Sequence, residues 1–108
     1  MKRTRIYACF AILAAGSIAA LAAAKGDAAK GKEVFTQCAV CHDAETTEKK
    51  MGPGLKGLFK HDKLANGKKV SEATVREKID EGGNGMPPFK DTLSDQERDD
   101  LIAYLKTL

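Results

Sequence analysis

The stretch Cys38-Ala39-Val40-Cys41-His42 decides how the rest of the chain is read. Two thiols three residues apart, with an imidazole directly after the second, form the attachment pattern for a c-type haem. On a helical turn residues i and i+3 share a face, so both sulfurs reach the two vinyl groups along one edge of a single porphyrin. His42 then follows in position to turn its ring toward the iron as an axial ligand. Two plainer uses of Cys-x-x-Cys fit less well. A structural zinc site takes four ligands, and Cys9 and His61 are the only other cysteine and histidine. A thioredoxin-like redox pair sits in a βαβ surround, whereas the flanks here read as helix and loop.

Upstream of the motif, residues 1–24 read as an export signal. Lys2, Arg3 and Arg5 form a positive start, an apolar run follows from Ile6 to Leu21, and Ala22-Ala23-Ala24 supplies small residues for cleavage. The expected cut after Ala24 removes Cys9 and leaves residues 25–108 as one monohaem domain, located in the periplasm or otherwise across the cytoplasmic membrane. The other reading is an uncleaved anchor, because about 19 apolar residues just span a bilayer.

The formal charge of +3 belongs to that leader, since the rest of the chain carries equal numbers of basic and acidic residues. Net charge therefore gives no reason to expect a nucleic-acid partner. The distribution is uneven: residues 49–69 hold seven lysines against Asp62 alone, and residues 70–105 hold nine acids against Arg76, Lys78, Lys90 and Arg98. Ordinary solvated surface is the plain reading. A dipole that orients docking to a charged redox protein is the other.

A domain this small rarely draws more than ~3–5 kcal/mol from its own core. Without the leader it has only Phe35, Phe59, Phe89 and Tyr104 as aromatics, and no tryptophan. A bound haem would supply the missing apolar centre. The first helix is expected to start at Asp27 as N-cap and run into the motif, with Ala28, Gly31, Val34, Phe35 and Cys38 at helical intervals. Gly31 costs such a helix about 1 kcal/mol relative to Ala, either as a tolerated glycine or to admit another helix closely.

Met51-Gly52-Pro53-Gly54-Leu55-Lys56-Gly57-Leu58-Phe59 reads as a rigid loop. Pro53 keeps a carbonyl that can accept the second ring N–H of a metal-bound histidine. Leu55, Leu58 and Phe59 could wall a porphyrin, and His61 reads as a solvated loop residue. Asn66-Gly67 marks a turn, and its lysine-rich flanks argue against a hairpin. Ser71 caps a second helix with Ala73, Val75 and Ile79 on its apolar face, and Gly82-Gly83 ends it. In the following Asn84-Gly85-Met86-Pro87-Pro88-Phe89, Pro87 pushes Met86 into extended backbone, giving a stiff loop that presents one thioether. Met51 is the competing sulfur, but it lies only nine residues beyond His42. Ser94-Asp95-Gln96-Glu97 is a capping box opening a last helix. Leu101, Ile102, Tyr104, Leu105 and Leu108 form its apolar face, and Arg98, Asp99 and Lys106 its polar one.

Read together, these stretches make the chain resemble the class I c-type cytochromes, in particular small bacterial and photosynthetic ones with a Gly-Met-Pro methionine loop. The resemblance runs through Gly31, Phe35, Cys38 to His42, Gly52 to Leu55, Gly85 to Pro87 and Leu101 to Leu105. It implies an all-α, small cytochrome c fold of three to four helices wrapped around one covalently bound haem c. Cys38 and Cys41 would carry the thioethers, His42 and Met86 the iron, and the Pro53 carbonyl the histidine N–H. Leu55, Phe59 and Phe89 would line the pocket. The first and last helices would cross with Gly31 and Phe35 against the Tyr104 region. Some relatives hold a haem propionate with a tryptophan or an extra tyrosine; the middle of this chain has neither, which leaves lysines of 49–69 as candidates.

Histidine with methionine closes the iron and raises its potential relative to more donating ligand pairs. The expected function is a monomeric electron carrier without catalytic residues, cycling between redox protein partners and docking transiently to membrane complexes. A haem subunit fixed to an oxidoreductase, a membrane-tethered carrier and a sensory haem protein with a labile Met86 are the alternatives.

Overall fold

The computed structural model describes residues 25–108; the leader assigned to residues 1–24 lies outside them. Asp27 starts the first helix, α1 (Ala28–Val34), from extended backbone, and its carboxylate accepts the N–H groups of Ala29 and Lys30 at 2.9 and 3.3 Å. The α-helix ends earlier than the sequence pattern suggests. The Thr36 hydroxyl donates to the Glu33 carbonyl, a local bond that competes with the helical ladder. The chain tightens into a 3-10 turn over Phe35–Gln37 and delivers Cys38 directly after it.

Ser71 and Thr74 cap the second helix, α2 (Glu72–Glu81), reciprocally. Val75 and Ile79 are buried, while Ala73, expected beside them, is exposed. Residues two apart do not share a helix face, so Val75 turns inward and Ala73 outward. Gly82 (φ 64°) and Gly83 (φ 114°) then terminate the helix in conformations open to glycine. The third helix, α3 (Asp95–Leu105), opens with the expected Ser94/Glu97 box and buries Leu101, Ile102 and Leu105. It departs from expectation at Arg98, assigned to the polar face but only 7 % exposed.

Among the described residues there is no strand, only two isolated bridges. One of them, Lys63 to Lys69, closes a small loop over Asn66-Gly67, with Leu64 N–H on Lys68 O (2.8 Å) and Val70 N–H on Asp62 O (3.0 Å). The lysines that argued against pairing there stay in water. Leu64 and Val70 turn inward onto the core and hold the loop.

α1 and α3 cross at Gly31. A Cβ there would strike the Asp100 carbonyl and come within 2.8 Å of Tyr104 Cβ, so only glycine lets the two backbones meet. One turn later Phe35 packs on Tyr104, ring centroids 5.3 Å apart at 57°. α2 joins α3 through the buried apolar side chains and through ion pairs from Arg76 and Arg98. The core is thus Phe35, Val75, Ile79, Leu93, Leu101, Ile102 and Leu105, with a fringe of half-buried apolar residues packed against it.

Candidate functional site

The motif occupies one turn of backbone, in which Cys41 N–H (3.1 Å) and His42 N–H (2.9 Å) both donate to Cys38 O. The spacing of three therefore places both thiols on one turn, as the sequence suggested. Both cysteines are free and half-buried. Burial, reinforced by the neighbouring Cys41, pushes the Cys38 thiol up to about 11. The Cys38 sulfur is thereby kept in the thiol form and sheltered from indiscriminate oxidation, because it is the thiolate that reacts.

His42 is oriented from two sides. Its Nδ1 lies 2.7 Å from the Pro53 carbonyl. A carbonyl only accepts, so Nδ1 carries the hydrogen and the neutral ring keeps its lone pair on Nε2, where a metal can take it. Gly52 lies flat against the ring: a Cβ at 52 would be 2.5 Å from Cε1 and 2.9 Å from Nδ1. The loop that brings Gly52 and Pro53 there is stitched to the motif by Gly52 N–H on Cys41 O (2.8 Å) and Leu55 N–H on Asp43 O (2.7 Å). A Cβ on Gly54 would sit 2.7 Å from Glu48 O. Neither Gly52 nor Gly54 has positive φ. The two glycines flank Pro53 in the expected loop because the backbone there passes close to its neighbours.

Met86 sits in the loop after α2. Gly83 and Met86 exchange backbone hydrogen bonds of 2.9 and 3.1 Å around Asn84 (φ 53°) and Gly85 (φ 90°), a tight turn of the kind that requires positive φ at both central residues. Gly82 has no room for a side chain beside Pro87, whose carbonyl carbon and oxygen would lie 2.7 and 2.8 Å from it. Met86 is half-buried, whereas the competing Met51 is 69 % exposed.

Leu55, Phe59 and Phe89 all belong to the half-buried apolar fringe, with Leu58, Leu64, Val70 and Ala44 beside them. Sequence reading missed Leu64 and Val70 among these; their signal was the apolar pair flanking a Lys-rich turn. Lys106 lies 5.9 Å above the Phe59 ring while pairing with Glu72. His61 is exposed, its Nε2 3.1 Å from Lys56 O, consistent with a loop histidine. Among the described residues no three His, Cys, Asp or Glu side chains converge as a metal-binding group, and no helix is long and apolar enough to cross a membrane.

Two sheltered thiols on one turn, an imidazole with Nε2 available and an apolar fringe fit a covalently held porphyrin. With the all-α fold they define a small electron-transfer protein built around one haem c. The cytochrome c family model matches residues 28–108. The chain is similar to cytochrome c2 of Blastochloris viridis, 37 % identical over 101 residues that cover 78 % of this chain and 80 % of the relative. Its fold is similar to that of cytochrome c6 from the diatom Phaeodactylum tricornutum (TM-score 0.61, 28 % identity, covering 76 % of this chain and 93 % of that one). It is also similar to that of cytochrome cH from Methylobacterium extorquens (TM-score 0.56, 29 % identity, 77 % and 100 %). The chain belongs to the cytochrome c family, as a class I c-type cytochrome that transfers electrons through one covalent haem c and works with redox partners.

Proposed function

We propose that this cytochrome is a mobile carrier with a closed, six-coordinate iron, and that it acts in the periplasm or an equivalent exported space after loss of residues 1–24. Cys38 and Cys41 would bond the haem, His42 Nε2 and the Met86 sulfur would hold its iron, and Leu55, Phe59 and Phe89 would shield it from water. The haem supplies the one-electron Fe(III)/Fe(II) couple. Everything else is done by the chain: it binds, orients and dries the site. No catalytic residue is assigned, because a closed iron leaves substrate nowhere to bind.

The observation that carries this reading is the 2.7 Å contact between His42 Nδ1 and Pro53 O. It commits the ring tautomer to donation through Nε2, the arrangement of a metal-bound histidine with an outer hydrogen-bond partner. Half-burial of Met86 beside an exposed Met51 supports the choice of sulfur. A permanently bound haem subunit would need exposed apolar surface near the motif. Val40 (64 %) and Met51 (69 %) are the exposed large apolar residues among those described, and co-purification with an oxidoreductase would favour the bound subunit over the free monomeric carrier proposed here.

The test is the visible spectrum of the holoprotein, oxidised and then reduced with and without carbon monoxide. Sharp low-spin bands, a weak far-red methionine–iron band in the oxidised form and slow uptake of carbon monoxide are expected. Met86→Ala should abolish the far-red band and lower the potential. A variant spectrum identical to wild type removes Met86 from the iron, and immediate carbon monoxide binding by wild type moves the sensory reading ahead.

A further inference from the structure

Arg98 and Asp100 are the buried charged residues among those described, and Asp100 is accounted for by its bond to the start of α1. Arg98 has no evident part in the haem site. Taking a guanidinium out of water is costly unless its donors find partners. Here Nε donates to Ser94 O (3.4 Å), Nη1 to Asp80 Oδ1 (2.6 Å) and Nη2 to Asp95. The Asp80 carboxylate, ahead of its other acidic neighbours, holds the guanidinium pKa above its ordinary value.

Asp80 lies near the end of α2, where helix carbonyls lack partners within the helix. Two of these carbonyls are met by the chain returning from the Met86 turn. Ile79 O accepts Phe89 N–H at 2.9 Å, and Asp80 O accepts Lys90 N–H at 3.3 Å. Lys78 Nζ fastens the beginning of the same loop by donating to Gly82 O (3.1 Å) and Gly83 O (3.2 Å). Asp80 therefore touches α3 through its side chain and the methionine loop through its backbone.

We infer that the Arg98–Asp80 pair is a positioning device for the Met86 loop, holding the last turn of α2 against α3 so that the thioether stays at the iron. The inference rests on Met86 being the axial ligand. The same interface supplies a control. Arg76 pairs with Asp99 at 2.6 Å, bridging the same two helices, and also lies 3.7 Å from Asp80 and 3.3 Å from Asp95, which it shares with Arg98; the control is therefore made at Asp99, which accepts nothing from the loop.

The experiment compares holoproteins carrying Asp80→Ala, Arg98→Met and Asp99→Ala. Arg98→Met fills the space and removes the buried guanidinium, leaving Asp80 with Arg76 at 3.7 Å as its remaining cation, and serves if Asp80→Ala does not fold. Two readouts are followed: the rate at which the reduced protein takes up carbon monoxide, and the denaturant midpoint of the far-red band against that of the far-UV helix signal. Asp80→Ala and Arg98→Met should speed carbon monoxide uptake about ten-fold, the equivalent of one hydrogen bond, and lose the far-red band before the helices. Asp99→Ala should lower the helix midpoint while leaving uptake unchanged. Wild-type uptake in both Asp80→Ala and Arg98→Met overturns the coupling, as does equal acceleration in Asp99→Ala. A far-red band that survives Met86→Ala overturns the ligand assignment instead, and the coupling with it.

Discussion

At Gly52 the limiting quantity is space. Its φ is ordinary for any residue, yet a Cβ would press on His42 at 2.5 Å from Cε1, and the ring cannot retreat without lengthening its bond to Pro53. Gly52→Ala should therefore destabilise the holoprotein by about 1–3 kcal/mol, the usual range for overpacking. It should also raise the reduction potential. With His42 as the proposed iron ligand, the Nδ1–H bond would make the imidazole a better donor and favour Fe(III), so weakening it would favour Fe(II). Thermal melting and redox titration check both, and a fall in potential would contradict the account. The role of Pro53 was legible from sequence because an imidazole bound through one nitrogen needs an acceptor for the other. The role of Gly52 was not, because a glycine beside proline reads as a turn until the ring packed on it is seen.

At the scale of elements, the caps at Asp27, Ser71 and Ser94 were legible because their partners lie within a few residues. What closes α1 was not. A capping box has an acid or amide three residues after the cap, but Lys30 holds that place. The missing acceptor comes from α3, where Asp100 Oδ1 takes Asp27 N–H at 2.8 Å and the Gln96 amide at 2.9 Å. The Asp27 N–H, then Gln96 and the charge of Lys30, hold the Asp100 carboxyl below its ordinary 3.8. A depressed carboxyl contributes stability that is complete above its unfolded value and is lost as pH falls through the folded one. Asp100→Asn keeps an acceptor of the same shape without the charge. It should cost about 1 kcal/mol at neutral pH, and its deficit against wild type in denaturant titrations should close below pH 3.8. A deficit independent of pH would mean shape and not charge is at work. Arg98 escaped sequence reading for the same reason as Asp100: its partner Asp80 is 18 residues away, and local spacing cannot show what covers a charge.

Over the whole molecule, the all-α class and the order of its parts were readable, since helical periodicity and the motif are both local. The size of the fringe was not, because whether Leu64 and Val70 point inward depends on the entire packing. Seven buried apolar residues make a modest core, and helices of 7, 10 and 11 residues are too short to persist alone. Chain produced without haem attachment should be largely unfolded by far-UV circular dichroism, and a native-like helical spectrum would refute the dependence. The crossing at Gly31 also bears on how the molecule is made. Asp27 and Asp100 are 73 positions apart, and synthesis runs from the amino end. The first helix must wait for its cross-brace until nearly all of the intervening chain has emerged, and closing so long a loop is slow. Cys38, Cys41 and His42 emerge early in that interval, so the thiols that the finished fold shelters are accessible while the polypeptide is still arriving.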